Sequence, residues 1–177
     1  MMTNIDTSIK FIAINIGLIT ISDSRIEEDD KSGDLLKDRI ENFGHIVLKK
    51  IIITDEVVQI KKTIKEFSKD PKIDAIITTG GTGLTGRDST PEAILELSDK
   101  IIDGFGELFR QLSYNKIGTS TIQSRAIGAV INHTYVFALP GSPGACKDGW
   151  DDILRYQLDI RHKPCNFIEI MPRLNEK

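Results

Sequence analysis

One stretch of the chain has the residue types and spacing of an anion-binding loop. It runs from Ile76 to Ala93 and reads IITTGGTGLTGRDSTPEA. Its apolar start predicts a buried strand of a parallel sheet, and the glycines let the backbone turn sharply and approach a ligand without Cβ interference. Ser89 or Thr90 can cap a following helix with Pro91 in its first turn, so free N–H groups would face the loop. The stretch therefore predicts a phosphate-binding site.

Two well-known nucleotide motifs match this loop only in part. Gly81–Gly86 has the G-x-G-x-x-G spacing of a dinucleotide fingerprint, but Pro91 would then lie inside the helix, where it removes a hydrogen bond. The same glycines have Walker A spacing, but Arg87 and Asp88 stand where Lys and Ser/Thr hold phosphate and Mg²⁺. Neither motif explains the loop.

The carboxylate of Asp88 lies next to the predicted phosphate site, where it would repel an anionic ligand. A cation between the two removes that repulsion, so Asp88 predicts a phosphate bridged by a metal ion. The structural alternative is that Asp88 only caps a turn.

Apolar runs and helical periodicity before the loop predict alternating strands and helices. Phe11–Ile21 predicts a first strand that ends in the polar cluster Ser22–Arg25, where strand ends of open α/β sheets meet ligands. The acidic run Glu27–Asp30 predicts a solvated loop, and a helix is expected to start at Ser32 and stop at Gly44. We expect His45, just past that stop, to be an exposed turn residue.

A second strand and helix follow, with Asp55 at their junction. Val47–Thr54 predicts the strand, and apolar residues from Val57 to Phe67 predict an amphipathic helix closed by Asp70 and Pro71. Asp55 can serve simply as the N-cap of that helix. The carboxyl end of a strand is also the ligand side of an open sheet, which would bring Asp55 close to Asp88.

The second half of the chain predicts another strand that leads into a glycine loop. Before it, Ala93–Leu97 and Phe105–Tyr114 predict helices, Lys100–Ile102 a short extended piece, and Asn132–Thr134 a hairpin turn. Tyr135–Leu139 then predicts a buried strand, followed by the loop Pro140–Gly144 and a helix over roughly 145–160. Two such loops in one sheet can enclose one ligand. Trp150 is expected in the core or at an interface.

The order of elements predicts an α/β fold of three layers, with helices on both faces of a mostly parallel, doubly wound sheet. We expect residues 1–10 to be a flexible N-terminus, residues 11–160 one domain, and residues 161–177 an extended tail that packs on the domain or on a neighbour.

Composition excludes several functions. The net charge of −3 and the lack of a basic stripe argue against nucleic acid as a partner, and no apolar run is long enough to cross a membrane. Asn15 interrupts the first apolar run and no cleavage site follows it, which argues against a signal peptide. Cys146 and Cys165 lack metal-site spacing and predict reduced thiols in a cytoplasmic protein.

The glycine loop resembles the molybdopterin-binding loop of the MoaB/Mog family of molybdenum cofactor biosynthesis, in the segments Thr78–Gly83 and Gly86–Ala93. The resemblance extends from about Phe11 to Phe167, and Gly118–Ala126 and Lys163–Phe167 are similar to the B branch of the family. It implies the same three-layer α/β/α fold.

The resemblance implies binding of molybdopterin and, in catalytic members, its adenylylation by MgATP to give adenylated molybdopterin and pyrophosphate. Asp55 and Asp88 match the family's two essential aspartates, and they are the implied catalytic residues and ligands of Mg²⁺. The implied pterin-binding residues are Thr79, Gly80, Gly81, Thr82, Gly83, Ser89, Thr90, Pro91, Ser124, Arg125, Gly141 and Ser142. The nucleotide-binding candidates are Ser22, Asp23, Pro140 and Gly144. Arg125 could instead form an ion pair with an acidic side chain.

Two functions of different classes remain open: a molybdopterin adenylyltransferase, and a non-catalytic protein that binds molybdopterin or assembles with others in the same pathway. Retention of both aspartates favours the enzyme. The family forms trimers or hexamers, so the resemblance implies a homo-oligomer, and its B-branch features favour a hexamer. Other proteins of molybdenum cofactor biosynthesis are further expected partners.

Overall fold

The core of the protein is a six-stranded sheet with helices on both faces, seen in a computed structural model that describes residues 4–176. Its strands are β2 (Asn15–Ile21), β3 (Ile46–Ile53), β4 (Ala75–Thr79), β5 (Lys100–Ile102), β6 (Ile127–Ile131) and β7 (Thr134–Leu139). They lie in the order β3-β2-β4-β7-β6-β5. Strands β3, β2, β4 and β7 are parallel to one another, whereas β6 runs antiparallel to β7 and β5 runs antiparallel to β6. The mostly parallel sheet is confirmed.

The helices divide between the two faces of this sheet. They are α1 (Lys31–Phe43), α2 (Val57–Ser68), α3 (Thr90–Leu97), α4 (Asp103–Ile117), α5 (Pro143–Gly149), α6 (Arg155–Gln157) and α7 (Phe167–Ile170). A π-helical turn, Trp150–Leu154, joins α5 to α6. Leu36, Phe109 and Trp150 belong to the apolar core on one face, and Ile60 and Ile94 to the core on the other. Three α/β/α layers result.

The parallel strands end together at one edge of the sheet. Thr79 of β4 pairs with Thr20 of β2 on one side and with Leu139 of β7 on the other, and Ile21 of β2 pairs with Ile53 of β3. The polar cluster, both glycine loops and Asp55 follow these four ends directly. Since ligands bind outside the carboxyl ends of the strands in open α/β sheets, this register positions the site.

The first strand is shorter than expected, and His45 is not exposed. Strand β2 begins at Asn15 rather than Phe11, and the amide of Ile14 donates instead to Nδ1 of His45 at 3.2 Å. The His45 ring is buried and packs against Phe11, Phe43 and Trp150. This burial lowers the pKa of His45 to about 4, despite the opposing charge of Asp159. The prediction of an exposed turn residue was wrong because the aromatic side chains of distant segments cover the ring.

The acidic run is also not wholly solvated. Asp30 is fully buried, and its side chain accepts a hydrogen bond from the amide of Gly33 at 3.0 Å. This contact caps α1, so the helix begins at Lys31, one residue before the predicted start at Ser32. The other acidic residues of the run, at 27–29, are exposed and form a short 3₁₀ turn.

The two ends of the described chain meet in a small sheet. Strand β1 (Asn4–Ile5) pairs antiparallel with β8 (His162–Lys163), so part of the predicted flexible N-terminus is a strand. Residues 1–3 and 177, which were included in the predicted flexible end and tail, lie outside the described residues. The tail packs on the domain, with Ile168 in the core, but beyond β8 it forms α7 and the 3₁₀ turn Met171–Arg173 rather than an extended segment.

The side chain of Trp150 is 1% exposed, so Trp150 is a core residue and not part of the surface of the folded chain. None of the helices within residues 4–176 combines the length and the apolar character that crossing a membrane requires.

Candidate functional site

A cavity of about 490 Å³ opens at the carboxyl edge of the sheet, between the two glycine loops. Most of the predicted site residues line it: Ser22, Asp23, Asp55, Gly80, Gly81, Thr82, Gly83, Asp88, Ser124, Pro140, Gly141 and Ser142. The structure therefore brings together residues that are up to about two-thirds of the chain apart in sequence.

The first glycine loop is anchored through four successive carbonyl groups, from Gly80 to Gly83. Thr90 donates to the first two with its hydroxyl and its amide, both at 3.0 Å. Arg125 donates to the last two with its amide at 3.3 Å and its Nε at 2.8 Å. In a planar trans peptide the N–H points opposite to the C=O, so the amides of residues 81–84 point away from these anchors. Gly81 and Thr82 line the cavity, so their amides are suited to an anion, whereas the amide of Gly83 donates to the carboxylate of Asp88.

Glycine is required where this loop turns and where the two loops meet. Gly80 has φ +105° and Gly81 has φ +63°, and a Cβ at Gly80 would overlap the carbonyl oxygen of Ile21. A Cβ at Gly141 would lie 3.3 Å from the Cα of Gly80. The absence of side chains at these glycines thus lets the two loops approach each other at the carboxyl end of β4.

Arg125 supports the loop rather than lining the cavity. Besides its two bonds to the loop carbonyls, its Nη2 donates to the carbonyl of Asp88 at 2.8 Å, and its Nη1 pairs with Glu92. The ion-pair alternative is therefore present, and the guanidinium holds both ends of the loop in place.

Other predicted binding residues also act from behind the loops. Thr79 is buried and donates its hydroxyl to the carbonyl of Pro140 at 3.1 Å. Thr90 anchors the first loop, as described above, and Pro91 is buried in the first turn of α3. Gly144 lies within α5 and does not line the cavity. These four residues do not line the cavity.

Asp88 lines the cavity while also capping a turn of the first loop. Its Oδ2 accepts hydrogen bonds from the amide of Thr85 at 2.9 Å and from the hydroxyl of Thr85 at 2.6 Å. Burial by itself raises the pKa of Asp88, but these bonds, an amide at Gly83 and the charge of Arg125 outweigh it and lower the pKa below 3.8. Asp88 therefore caps a turn, as the structural alternative predicted, and its carboxylate is also ionised.

Asp55 lies across the same cavity in a different environment. It does not cap α2, whose N-cap is Glu56 without a side-chain bond, so that alternative was wrong. Its Oδ1 accepts from the hydroxyl of Ser89 at 3.2 Å, a residue predicted to bind the ligand. Burial, together with the charges of Asp88 and Asp23, raises the pKa of Asp55 above 3.8 despite the bonds from Ser89. The two aspartates therefore have pKa values shifted in opposite directions.

Arg87 pairs with acidic residues of the segments that follow β2 and β3, at the exposed edge of the cavity, which is called the rim here. Its Nε and Nη2 donate to the two carboxylate oxygens of Asp23, both at 3.0 Å, and its Nη1 donates to Glu56 at 2.7 Å. These bonds hold the pKa of Asp23 below its usual value, and its carboxylate in turn accepts from the amide of Asp55 at 3.0 Å. The rim is exposed, so screening by solvent limits the contribution of these pairs to stability.

Several residues that line the cavity were not predicted. Phe109, Ser113 and Ile117 of α4 line one part of it, and Arg25 and Gln123 also line it. The spacing of 109, 113 and 117 by four residues puts them on one face of α4, which was a usable signal. Arg25 belongs to the polar cluster after β2, but nothing in the sequence showed which member of that cluster would point into the cavity.

Most of the chain resembles known proteins in sequence and in fold. A family described as "Probable molybdopterin binding domain" matches residues 17–160. The chain belongs to that family. The match covers both glycine loops, both aspartates and the unpredicted wall of α4, and it confirms the resemblance to MoaB and Mog proteins.

Individual relatives agree with this assignment. The chain is 45% identical to Molybdenum cofactor biosynthesis protein B of Escherichia coli K12 over 160 residues, which cover 90% of this chain and 94% of that protein. It is also 45% identical to the protein of the same name from Bacillus subtilis, over 73% of this chain and 77% of that protein. These relatives carry the name of the B branch.

Solved structures confirm the fold. A crystal structure of a molybdenum cofactor biosynthesis protein B superposes with a TM-score of 0.84 at 37% identity, covering 94% of this chain and 98% of the other. The tungsten cofactor synthesizing protein MoaB from Pyrococcus furiosus superposes with a TM-score of 0.71, also at 37% identity, over 80% of this chain and 90% of the other.

Proposed function

We propose that the protein acts in molybdenum cofactor biosynthesis, where it binds molybdopterin and transfers an adenylyl group to it from MgATP. The observation that carries this proposal is the anchored first loop, whose residues Gly80–Gly83 line one cavity together with Asp55 and Asp88. The printed names of its relatives support the pathway.

In this proposal the first glycine loop binds the phosphate of the pterin. Amides fixed by Thr90 and Arg125 need no rearrangement when the anion arrives, so they can orient it at little entropic cost. Phe109 and Ile117 offer an apolar wall for a flat ring system. An oxygen of the pterin phosphate attacks the α-phosphorus of ATP, the bond from that phosphorus to the bridging oxygen breaks, and pyrophosphate leaves.

The residues present fit Mg²⁺ held together with substrate phosphates. No group of three His, Cys, Asp or Glu side chains within residues 4–176 forms a ready-made metal site. Mg²⁺ nevertheless needs only one or two carboxylates when phosphates and water complete its shell. Asp55 and Asp88 both fit this role, because burial and two nearby carboxylates leave the charge of Asp55 poorly compensated, and Asp88 lines the same cavity as an ionised carboxylate. When bound there, the ion would neutralise charge on the phosphates.

The second candidate function is non-catalytic binding of molybdopterin. The capped carboxylate of Asp88 favours it, since Asp88 has a complete structural role without a metal. Arg87 favours it too, because it pairs with Asp23, so this third carboxylate of the cavity attracts a cation less strongly.

A direct test is to add molybdopterin and MgATP to the purified protein and to measure pyrophosphate. We expect release that requires both substrates and stops when EDTA removes the metal. Tight binding of molybdopterin without release of pyrophosphate would favour the non-catalytic alternative. Absence of molybdopterin binding would contradict both.

We also propose a homo-oligomer, with a hexamer favoured over a trimer. Large apolar side chains around the end of α4 are exposed, with Ile122 at 82% and Tyr114 at 58%. Burying them against another copy would lower the free energy of the protein. Light scattering should give a mass several times 19.8 kDa, and a monomer at micromolar concentration would contradict the proposal.

A further inference from the structure

Arg25 is the one cationic side chain among the described residues that line the cavity. Three carboxylates, those of Asp23, Asp55 and Asp88, line the same space. A ligand that carries phosphates needs positive charge on more than one side in such surroundings, and the loop amides lie only on the side of the first loop. Arg25 lies on the other side, next to the second loop.

The side chain of Arg25 is held in place at three points. Its Nη2 donates to the carbonyl of Gly141 at 2.6 Å, and its Nη1 donates to the hydroxyl of Ser32. Nη1 also lies 3.9 Å from Oδ1 of Asp30. These contacts use two of the five N–H groups of a guanidinium, so N–H groups remain for a ligand. A planar cation fixed in this way can bind two phosphoryl oxygens at once.

Asp30 is an unusual support for a surface cavity because it is fully buried. Its carboxylate accepts from the hydroxyl of Thr20 at 2.8 Å and from the amide of Gly33 at 3.0 Å, and it lies 3.0 Å from Nζ of Lys50. A buried carboxylate is costly unless it is paired and fully hydrogen-bonded. Asp30 meets both conditions, and it connects the N-terminus of α1 to the cavity wall through Arg25.

We propose that Arg25 binds a phosphoryl group of the ligand on the side of the second glycine loop, and that Asp30 is its positioning residue. This inference rests on the proposed function for the presence of a phosphate-bearing ligand in the cavity. The phosphoryl group belongs either to the nucleotide or to the pterin, and both present the same chemistry to a guanidinium.

The test compares Arg25→Gln with wild type in calorimetric binding of MgATP, pyrophosphate, molybdopterin and adenosine. The glutamine amide can still donate to Gly141 but carries no charge. We expect the affinity for at least one phosphate-bearing probe to fall about 10- to 100-fold, as charge-assisted bonds imply, while adenosine is unaffected. Loss with MgATP and pyrophosphate assigns Arg25 to the nucleotide, and loss with molybdopterin alone assigns it to the pterin.

Arg39→Gln is the matched control, because Arg39 is similarly exposed, pairs with Asp151 and lies on α1 outside the cavity. It should leave all affinities within about twofold. Arg25→Lys keeps a charge but not the planar fork, so an intermediate loss is expected, and this variant carries the test if Arg25→Gln does not fold. Unchanged affinity for every phosphate-bearing probe, or an equal loss with adenosine, would overturn the proposal.

Asp30→Asn tests the positioning role. It should weaken phosphate binding several-fold in the wild-type background but have no further effect in the Arg25→Gln background, because the two residues act through one contact. Additive losses would overturn the role of Asp30. These measurements record binding and not turnover. A protein that binds phosphates but releases no pyrophosphate would contradict the adenylyltransferase activity without affecting the conclusion on Arg25.

Discussion

The two glycine loops follow neighbouring parallel strands, β4 and β7, but they use their polar groups differently. In the first loop, four carbonyls are held from behind, and the hydroxyl of Ser89 at the start of α3 donates to Asp55 rather than capping its own helix. In the second loop, Ser142 caps α5 by accepting from the amide of Ala145 at 3.3 Å. Thr79 and Arg25 hold the second loop's carbonyls.

In the proposed function, this difference separates a ligand-binding loop from a supporting one. The first loop leaves the amides of Gly81 and Thr82 and the partly buried carboxylate of Asp55 at the cavity, and its turn depends on a left-handed backbone at Gly80 and Gly81 that glycine adopts without strain. The second loop satisfies its own helix and contributes a fixed wall. A substitution in the first loop should therefore alter both backbone and binding, whereas one in the second should alter local stability.

The largest contrast is expected between Gly80→Ala and Gly144→Ala. A Cβ at Gly80 would meet the carbonyl of Ile21 with φ at +105°, so we expect a loss of about 3 kcal/mol or more in the free energy of unfolding. A Cβ at Gly144 meets nothing within 4 Å, and alanine in a helix is favoured by up to about 1 kcal/mol. Urea unfolding of both variants measures the contrast, and similar losses would contradict the assignment of strain to the first loop.

A smaller contrast is expected between the two serines. Ser142→Ala should cost about 1 kcal/mol of stability, because it removes the cap of α5. Ser89→Ala removes no cap, so stability should change by no more than about 0.5 kcal/mol. It should instead raise the pKa of Asp55 further, since the Ser89 bonds lower it. Thermal unfolding of both variants measures the two stability changes, and titration by NMR measures the pKa of Asp55. A larger loss of stability for Ser89→Ala than for Ser142→Ala would contradict these roles.

The smallest effects on stability are expected from neutralising each aspartate, and they should differ in sign. The pKa of Asp88 is lowered from 3.8 by folding, so its ionisation contributes stability above pH 3.8 that is lost as pH falls through the folded value. Asp88→Asn should therefore be less stable than wild type at pH 7 and equal to it in acid. The pKa of Asp55 is raised from 3.8, so its contribution is present below pH 3.8 and lost as pH rises through the folded value.

Asp55→Asn should accordingly match or exceed the stability of wild type at pH 7. Chemical unfolding of both variants and wild type between pH 3 and pH 7 gives the comparison. A loss of stability at pH 7 for Asp55→Asn would show that its carboxylate is better compensated than the structure indicates.

The sequence allowed the sheet and the glycine loops to be predicted because their signals are local. Buried strands such as Tyr135–Leu139 are continuous apolar runs, and the loop that follows is defined by its own glycines and prolines. That both loops and both aspartates lie close together was predicted because each follows the carboxyl end of a parallel strand, and these ends lie at the same edge of the sheet.

The misjudged residues depend on contacts between distant segments. His45 is buried by aromatic residues from before β2 and from the turn after α5, and Asp30 is paired with Lys50 on the neighbouring strand. The role of Arg125 depends on four acceptors in the first loop and α3. No periodicity or local motif specifies such partners, so the sequence predicted an exposed histidine and a solvated aspartate, and it left phosphate binding and an ion pair as alternatives for Arg125.

In the proposed function, Asp88 and Asp55 serve catalysis at a molybdopterin site, and one paired measurement tests this role most directly. Molybdopterin affinity and MgATP-dependent pyrophosphate release are measured side by side for wild type and Asp88→Asn. Asparagine can still accept from Thr85, so the loop and its amides should persist. We expect affinity within a few-fold of wild type and release reduced by about 10² or more, as loss of transition-state charge stabilisation implies. A wild type that releases no pyrophosphate, with a variant that binds molybdopterin more tightly, would contradict the catalytic account.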